Sequence, residues 1–293
     1  MSVGILGPGA VGGVLAVGLA RAGVRVVCIA RPDTAELIRS EGLTLKHGQE
    51  VERARPEATT RLEEPVEILL VTVKAAALGD ALERVRAPAE TVVPFLNGIE
   101  HMQTLRDRLP ESRVVAGSIG WIEAWLERPG TVVQNTPRVV MSVSEDAGGA
   151  TTDVLRQSGA DVRVGGTDAA VLWHKLARQA PVAAATTASQ RPIGDLRSDP
   201  EWRSRLQQAI GETCAVARAD GVSLEPRAQW EIIESMPPKL TSSTARDVAE
   251  GRPSELDAIT GAAVRAAHRA GVPAPALEAL LADAEEECRA LSR

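Results

Sequence analysis

The stretch SVGILGPGAVGG at positions 2–13 restricts the fold more than any other part of the chain. A short apolar run, residues 3–6, enters a turn with Gly7, Gly9 and Gly12 at G-x-G-x-x-G spacing and leaves as a helical run over residues 10–22. Each glycine has a separate task. Gly7 permits the tight turn, Gly9 lets the backbone approach a pyrophosphate, and Gly12 lets the helix pack closely on the strand, so that N–H groups at the helix start face the phosphates. The glycine pattern is weak alone. Here it follows a strand, opens a helix and precedes a second apolar run, residues 24–30, as a βαβ unit demands. The reading is a dinucleotide site lined by Gly7, Pro8, Gly9, Ala10, Val11 and Gly12.

Such a unit needs a sheet around it, and 293 residues are long for one core, so two domains are expected. A net charge of −6 argues against nucleic acid or an anionic membrane as the main partner. With five Trp, one Phe and no Tyr, there is also no stacking platform for bases. Residues 1–20 carry no charge, but six glycines and Pro8 interrupt them and no basic leader precedes them, so they read as buried strand and helix rather than signal or membrane span. Cys28, Cys214 and Cys288 are scattered, as expected of reduced packing residues in a cytoplasmic protein with no metal site.

The residue that closes the second strand selects the dinucleotide. An acid near that place accepts the ribose 2′-hydroxyl of NAD, whereas an arginine accommodates the 2′-phosphate of NADP. Arg31 stands there, favouring NADP(H). Asp33 is close enough to let NADH compete, and it also reads as the N-cap of a helix over residues 34–40. Beyond a polar, weakly patterned region, residues 43–64, the run ILLVTV at 68–73 is a strand covered on both faces. It ends at Lys74, which either points into the ligand crevice at the carboxyl edge of the sheet or is a solvated start to a helix over 75–86. A further strand, residues 91–96, runs into Asn97-Gly98, a turn signal at the same edge whose amide could reach a nicotinamide ribose or a substrate carbonyl. Residues 114–116 look like another strand; short segments at 121–126, 131–135 and 138–144 suggest antiparallel strands closing the far side of the sheet, and 154–158 and 162–164 finish this half.

From residue 167 the texture becomes helical, which places the domain boundary at Gly165-Gly166, with residues 1–166 binding the dinucleotide and 167–293 the substrate. A helix from Asp168 to about residue 188 carries Lys175 within an apolar stripe. There the lysine either snorkels to water or sits in a cleft where desolvation lowers its pKa towards use as a proton donor. Further helices are expected over 200–220, 226–235 and 240–250. Ser254 with Asp257 reads as a capping box that puts Glu255 in the first turn of the next helix.

Taken together, Gly7 to Gly12, Arg31, Val73-Lys74-Ala75, Asn97-Gly98, Trp173-His174-Lys175-Leu176 and Pro253-Ser254-Glu255-Leu256-Asp257 resemble the ketopantoate reductase, or 2-dehydropantoate 2-reductase, family over the whole chain. The resemblance implies an α/β Rossmann-type domain followed by an all-helical one, with NADPH and a 2-keto acid bound in the cleft between them and a dimer as in some relatives. By the same resemblance Lys175 is the catalytic lysine that protonates the carbonyl oxygen, and Glu255 binds the substrate hydroxyl. Asn97 hydrogen-bonds in the active site, Ser243 lies near the substrate carboxylate, and Arg31 with Lys74 holds the 2′-phosphate. In the family the positions four and eight after the lysine are typically substrate-contacting asparagines; here they are Gln179 and Ala183, with Pro181 between. That departure leaves the reaction type intact and opens the identity of the keto acid.

The expectation is therefore NADPH-dependent reduction of 2-dehydropantoate to pantoate. The alternatives are a paralogue acting on another small 2-keto acid or imine, and a non-catalytic NADP(H) sensor. A sensor gives no reason to keep Lys175 with Glu255.

Overall fold

The structure, a computed structural model, describes residues 1–291. The chain divides into two compact units, one of Met1–Leu96 with His101–Val171, the other of Asn97–Glu100 with the residues from Leu172 on.

The strands of the first unit are β1 (Ser2–Leu6), β2 (Arg25–Ile29), β3 (Leu43–His47), β4 (Glu50–Ala54), β5 (Glu57–Thr59), β6 (Val66–Val71), β7 (Ala89–Pro94), β8 (Arg113–Val114), β9 (Gly117–Trp121), β10 (Ala124–Arg128), β11 (Thr131–Gln134), β12 (Val140–Val143) and β13 (Asp161–Val164). Its helices are α1 (Ala10–Arg21), α2 (Pro32–Glu41), α3 (Leu78–Leu82), α4 (His101–Arg108) and α5 (Gly148–Gln157). Six strands make a parallel sheet in the order β5-β2-β1-β6-β7-β8, with Leu6 paired to Ile29 on one side and Val71 on the other. Val3, Ile5, Leu69, Leu70 and Val71 are fully buried, the mark of strands covered on both faces.

Several local expectations need correction. Asp33 is not an N-cap. Helix α2 starts at Pro32, whose missing N–H costs nothing at the first helical position, so Arg31 takes the cap place and Asp33 falls in the first turn. The expected helix over 75–86 is a 3₁₀ turn, Ala75–Ala77, followed by the short α3. Residues 43–64 hold three strands; β4 is so rich in exposed charge that no apolar alternation marks it. The segments between 117 and 144 do not extend the parallel sheet. They form a four-stranded sheet, β10-β11-β3-β4, in which β11 pairs in parallel with β3, and a three-stranded sheet, β13-β12-β9. Residues 154–158 belong to the end of α5 and the turn after it, because the local apolar spacing is helical.

Helix α6 (Asp168–Ser189) begins in the first unit and runs through the second, which continues with α7 (Ile193–Ser198), α8 (Pro200–Ala219), α9 (Pro226–Ser235), α10 (Ser243–Ala249), α11 (Ala262–Ala270) and α12 (Pro275–Leu291). Pro181 lies inside α6 and cannot donate to the Ala177 carbonyl, a defect that costs about 3 kcal/mol or more when left alone. The buried hydroxyl of Thr213, on α8, donates to that carbonyl at 2.6 Å and repairs the break; Thr260 adds a bond to the Ala180 carbonyl at 2.9 Å. Trp173 is fully buried and its indole N–H donates to Asp220 at 2.7 Å, fixing the rotation of α6 about its axis. The expected helix over 240–250 starts at Ser243, because Ser242 caps it by accepting from the Ala245 N–H. The capping box at Ser254 and Asp257 is also revised. The Glu255 carbonyl accepts the Ile259 N–H at 3.0 Å, which opens the helix at Glu255, while the Asp257 carboxylate pairs with Arg265. One turn of π-helix, Asp257–Gly261, then leads into α11.

Candidate functional site

In the first unit the site is a backbone construction. Gly7 has φ of +88°, the left-handed region, and a Cβ there would stand 2.4 Å from Val73. A Cβ on Gly12 would meet the Gly7 carbonyl oxygen at 2.5 Å and Thr72 Oγ1 at 2.4 Å, so only glycine lets α1 pack this close. Thr72 donates to the same Gly7 carbonyl at 2.8 Å and holds the turn. Gly9 differs: a Cβ there would approach no protein atom closer than 4.0 Å. Gly9 thus leaves room on the outside of the turn, beside an α1 start with no side-chain cap. Open space next to helix N–H groups at the positive end of the helix dipole suits a pyrophosphate. Pro8, Ala10 and Val11 complete the loop, in which Gly7 makes the turn and Gly12 the close packing.

Arg31 follows β2 and Lys74 follows β6, and both side chains are exposed. Since β1 lies between those strands, two cations flank the glycine turn at the carboxyl edge of the sheet.

In the second unit the site is made of side chains. Lys175 and Gln179 are one helical turn apart on α6 and face the same way. The Lys175 Nζ donates to Asn97 Oδ1 at 2.8 Å, and Gln179 Nε2 donates to the same oxygen at 3.0 Å. The Asn97 amide nitrogen donates to Glu255 Oε2 at 2.9 Å. An amide is suited to this bridge because its oxygen accepts two bonds while its nitrogen donates to a carboxylate. All four residues are partly buried. Burial pushes the Lys175 ammonium down to about 8, the neighbouring Arg178 guanidinium adds to the fall, and the Glu255 carboxylate opposes it. Lys175 does not snorkel to water: its ammonium is held by Asn97.

The backbone places these groups. Gly98 has φ of +83°, and a Cβ there would lie 2.0 Å from the Ala258 carbonyl, so the Asn-Gly turn docks against the π turn that follows Glu255. The chain before Glu255 is tied back to α10 by Arg252, whose Nε donates to Asp247 at 2.9 Å and whose N–H donates to the Asp247 carbonyl at 2.7 Å. Ser243 is exposed at the first position of α10, next to Ser242, whose Oγ is 2.8 Å from Thr186 Oγ1 of α6. Ala183 is buried and brings no polar atom to this helix.

Sequence reasoning passed over Thr72, Arg178, Glu100 and Arg265. A hydroxyl at the end of an otherwise apolar strand was a usable signal for Thr72; the charged residues carried none, since isolated charges read as solvated surface.

No helix among the described residues is long and apolar enough to cross a membrane. Residues 3–145 match the family described as ketopantoate reductase PanE/ApbA, and residues 169–285 match ketopantoate reductase PanE/ApbA C terminal. The chain is 29% identical over 293 residues to the uncharacterized oxidoreductase YkpB of Bacillus subtilis (strain 168), covering 95% of this chain and 96% of that one. It is 28% identical over 295 residues to the 2-dehydropantoate 2-reductase of Caulobacter vibrioides, covering 97% and 98%. A crystal structure of a PanE/ApbA family ketopantoate reductase from Ralstonia eutropha JMP134 superposes with a TM-score of 0.86 at 29% identity over the full length of both chains. The chain belongs to the ketopantoate reductase family of oxidoreductases, whose members bind a nicotinamide dinucleotide.

Proposed function

We propose that this member of the ketopantoate reductase family is a cytoplasmic, NADPH-dependent reductase of a small 2-keto acid, with 2-dehydropantoate as first-choice substrate and pantoate as product. The observation that carries the reading is the chain of hydrogen bonds from Lys175 through Asn97 to Glu255, with the lysine held down to about 8. A bound reduced nicotinamide would supply the hydride.

Lys175 then has two tasks. As an ammonium it stabilises the negative charge that grows on the carbonyl oxygen, and as an acid of pKa about 8 it delivers the proton near neutral pH. Asn97 fixes the ammonium in place by accepting from it. Glu255 opposes the loss of the lysine's charge and offers carboxylate oxygens to a substrate hydroxyl. Ser243 is assigned to the substrate carboxylate. On the cofactor side, the loop from Gly7 to Gly12 holds the pyrophosphate, Arg31 and Lys74 take the adenosine 2′-phosphate, and Asn97 is available to the nicotinamide ribose.

Gln179 favours a second reading. Its amide is engaged with Asn97, and Ala183 offers nothing polar, so the same hydride chemistry on another 2-keto acid or an imine fits these two positions. Steady-state assays with NADPH and NADH against ketopantoate and a panel of 2-keto acids test both. The reading requires NADPH turnover, and a high rate on another acid beside a low one on ketopantoate selects the second.

A further inference from the structure

We propose that Arg265 is a positioning residue, which through Glu100 and Asp257 holds the Asn97 turn and the π turn after Glu255 in one register so that Asn97 can bridge Lys175 and Glu255. The inference rests on the keto-acid reductase reading for its effect on rate, and on geometry alone for its effect on structure.

Arg265 lies on α11, and its guanidinium is shared between two flanks. Its Nε and Nη2 donate to the Glu100 carboxylate at 3.1 and 2.7 Å, a two-pronged pairing that fixes orientation as well as distance. Its Nη1 donates to Asp257 Oδ1 at 2.6 Å, and Nη2 also reaches the Asp257 carbonyl at 3.2 Å, inside the π turn. Arg269, one helical turn on, adds a contact to Glu100 at 3.1 Å. Glu100 is the last residue of the four-residue segment that starts with Asn97 and groups with the helical unit. Arg265 thus grips the far end of the segment that carries Asn97 and the start of the helix that carries Glu255.

Two glycines lie on the segments that Arg265 joins. A Cβ on Gly261 would sit 2.7 Å from Asp257 Oδ1 and 3.0 Å from Arg265 Nη1, so the glycine lies directly beside the ion pair. Gly98, with its left-handed φ, seats the turn against Ala258. The π turn between them widens the helix where the Asp257 carbonyl meets the guanidinium; such turns are common at functional sites. The Glu100 pair is part-exposed and the Asp257 carboxylate largely exposed, so these ion pairs add little to overall stability. Their effect is on position: an error of about 1 Å in placing a reacting group can cost about 100-fold in rate.

The test compares wild type with Arg265→Met, Arg265→Lys and Glu100→Gln in three measurements: steady-state kinetics with NADPH and the best keto acid, NADPH affinity by fluorescence titration, and hydrogen exchange of the peptide covering residues 96–102. Arg265→Met should lower kcat about 10- to 100-fold, weaken NADPH by a smaller factor and raise exchange at 97–100. Glu100→Gln should do the same more weakly. Arg265→Lys should restore part of the protection and part of kcat, since it keeps the charge and loses the fork. If Arg265→Met exchanges at 97–100 like wild type, or keeps wild-type kcat once corrected for folded fraction, the proposal is wrong. If wild type reduces no keto acid tested, the function assigned above fails, and the exchange comparison alone still decides whether Arg265 holds the turn.

Discussion

The glycine turn of the first unit and the Lys175 cluster of the second are built by opposite means. At the turn, side chains are removed so that backbone can come close: a Cβ at Gly12 would strike the Gly7 carbonyl, and a Cβ at Gly7 would strike Val73. At the cluster, three polar side chains, Lys175, Gln179 and Glu255, meet on one amide, that of Asn97. Gly7 and Gly12 tolerate no added atom, while the cluster depends on each polar group that meets at Asn97. A backbone site depends on φ and clearance, while a side-chain site depends on the helices and turns that aim its members.

That contrast can be broken most severely at Lys175. Lys175→Ala should lower kcat by about 100- to 10,000-fold, the usual scale for removing a general acid, while NADPH affinity by fluorescence titration stays near wild type. Loss of binding with the activity would mean that the two sites are not separable. Arg31→Ala should come next. It should weaken NADPH relative to NADH by about 1.5–3 kcal/mol, the range for a hydrogen bond to a charged group, in paired Kd measurements. Equal weakening of both cofactors would remove Arg31 from the 2′-phosphate.

The comparison sharpens within the glycine turn itself. Gly12→Ala should cost about 1–3 kcal/mol of stability in denaturant unfolding, because neither the Gly7 carbonyl nor α1 can yield freely. Gly9→Ala has the smallest expected effect on folding, since the new methyl meets only open space. It should leave the unfolding midpoint almost unchanged and weaken NADPH. Equal destabilisation by both substitutions would show that Gly9 is there for packing rather than for ligand approach.

The same contrast explains what could be seen in the sequence. Gly7, Gly9 and Gly12 were legible because their roles belong to the local backbone, and a strand and a helix flank them in the sequence. Asn97 was legible as half of an Asn-Gly turn, and Lys175 as a cation out of place in an apolar stripe. Neither spacing nor periodicity indicated that Lys175, Gln179 and Glu255 converge on Asn97, since that depends on how the π turn seats Gly98. The strand β4 went unseen because its charged residues are solvent-facing. The start of α2 was misplaced because Pro32 outranks Asp33 in setting a helix boundary. Arg265 and Glu100 looked like surface charge, and their pairing is a product of tertiary structure.

The most direct measurement is the pH dependence of kcat/KM for keto-acid reduction by wild type, read beside Lys175→Ala. Lys175 must be protonated to donate, and burial lowers its pKa, so its acid form is lost as pH rises through about 8 rather than near the ordinary lysine value. The wild-type profile should fall above about 8, and the residual activity of Lys175→Ala should lack that limb. A wild-type profile that stays flat past pH 8, or a variant that keeps the same fall, would contradict Lys175 as the proton donor.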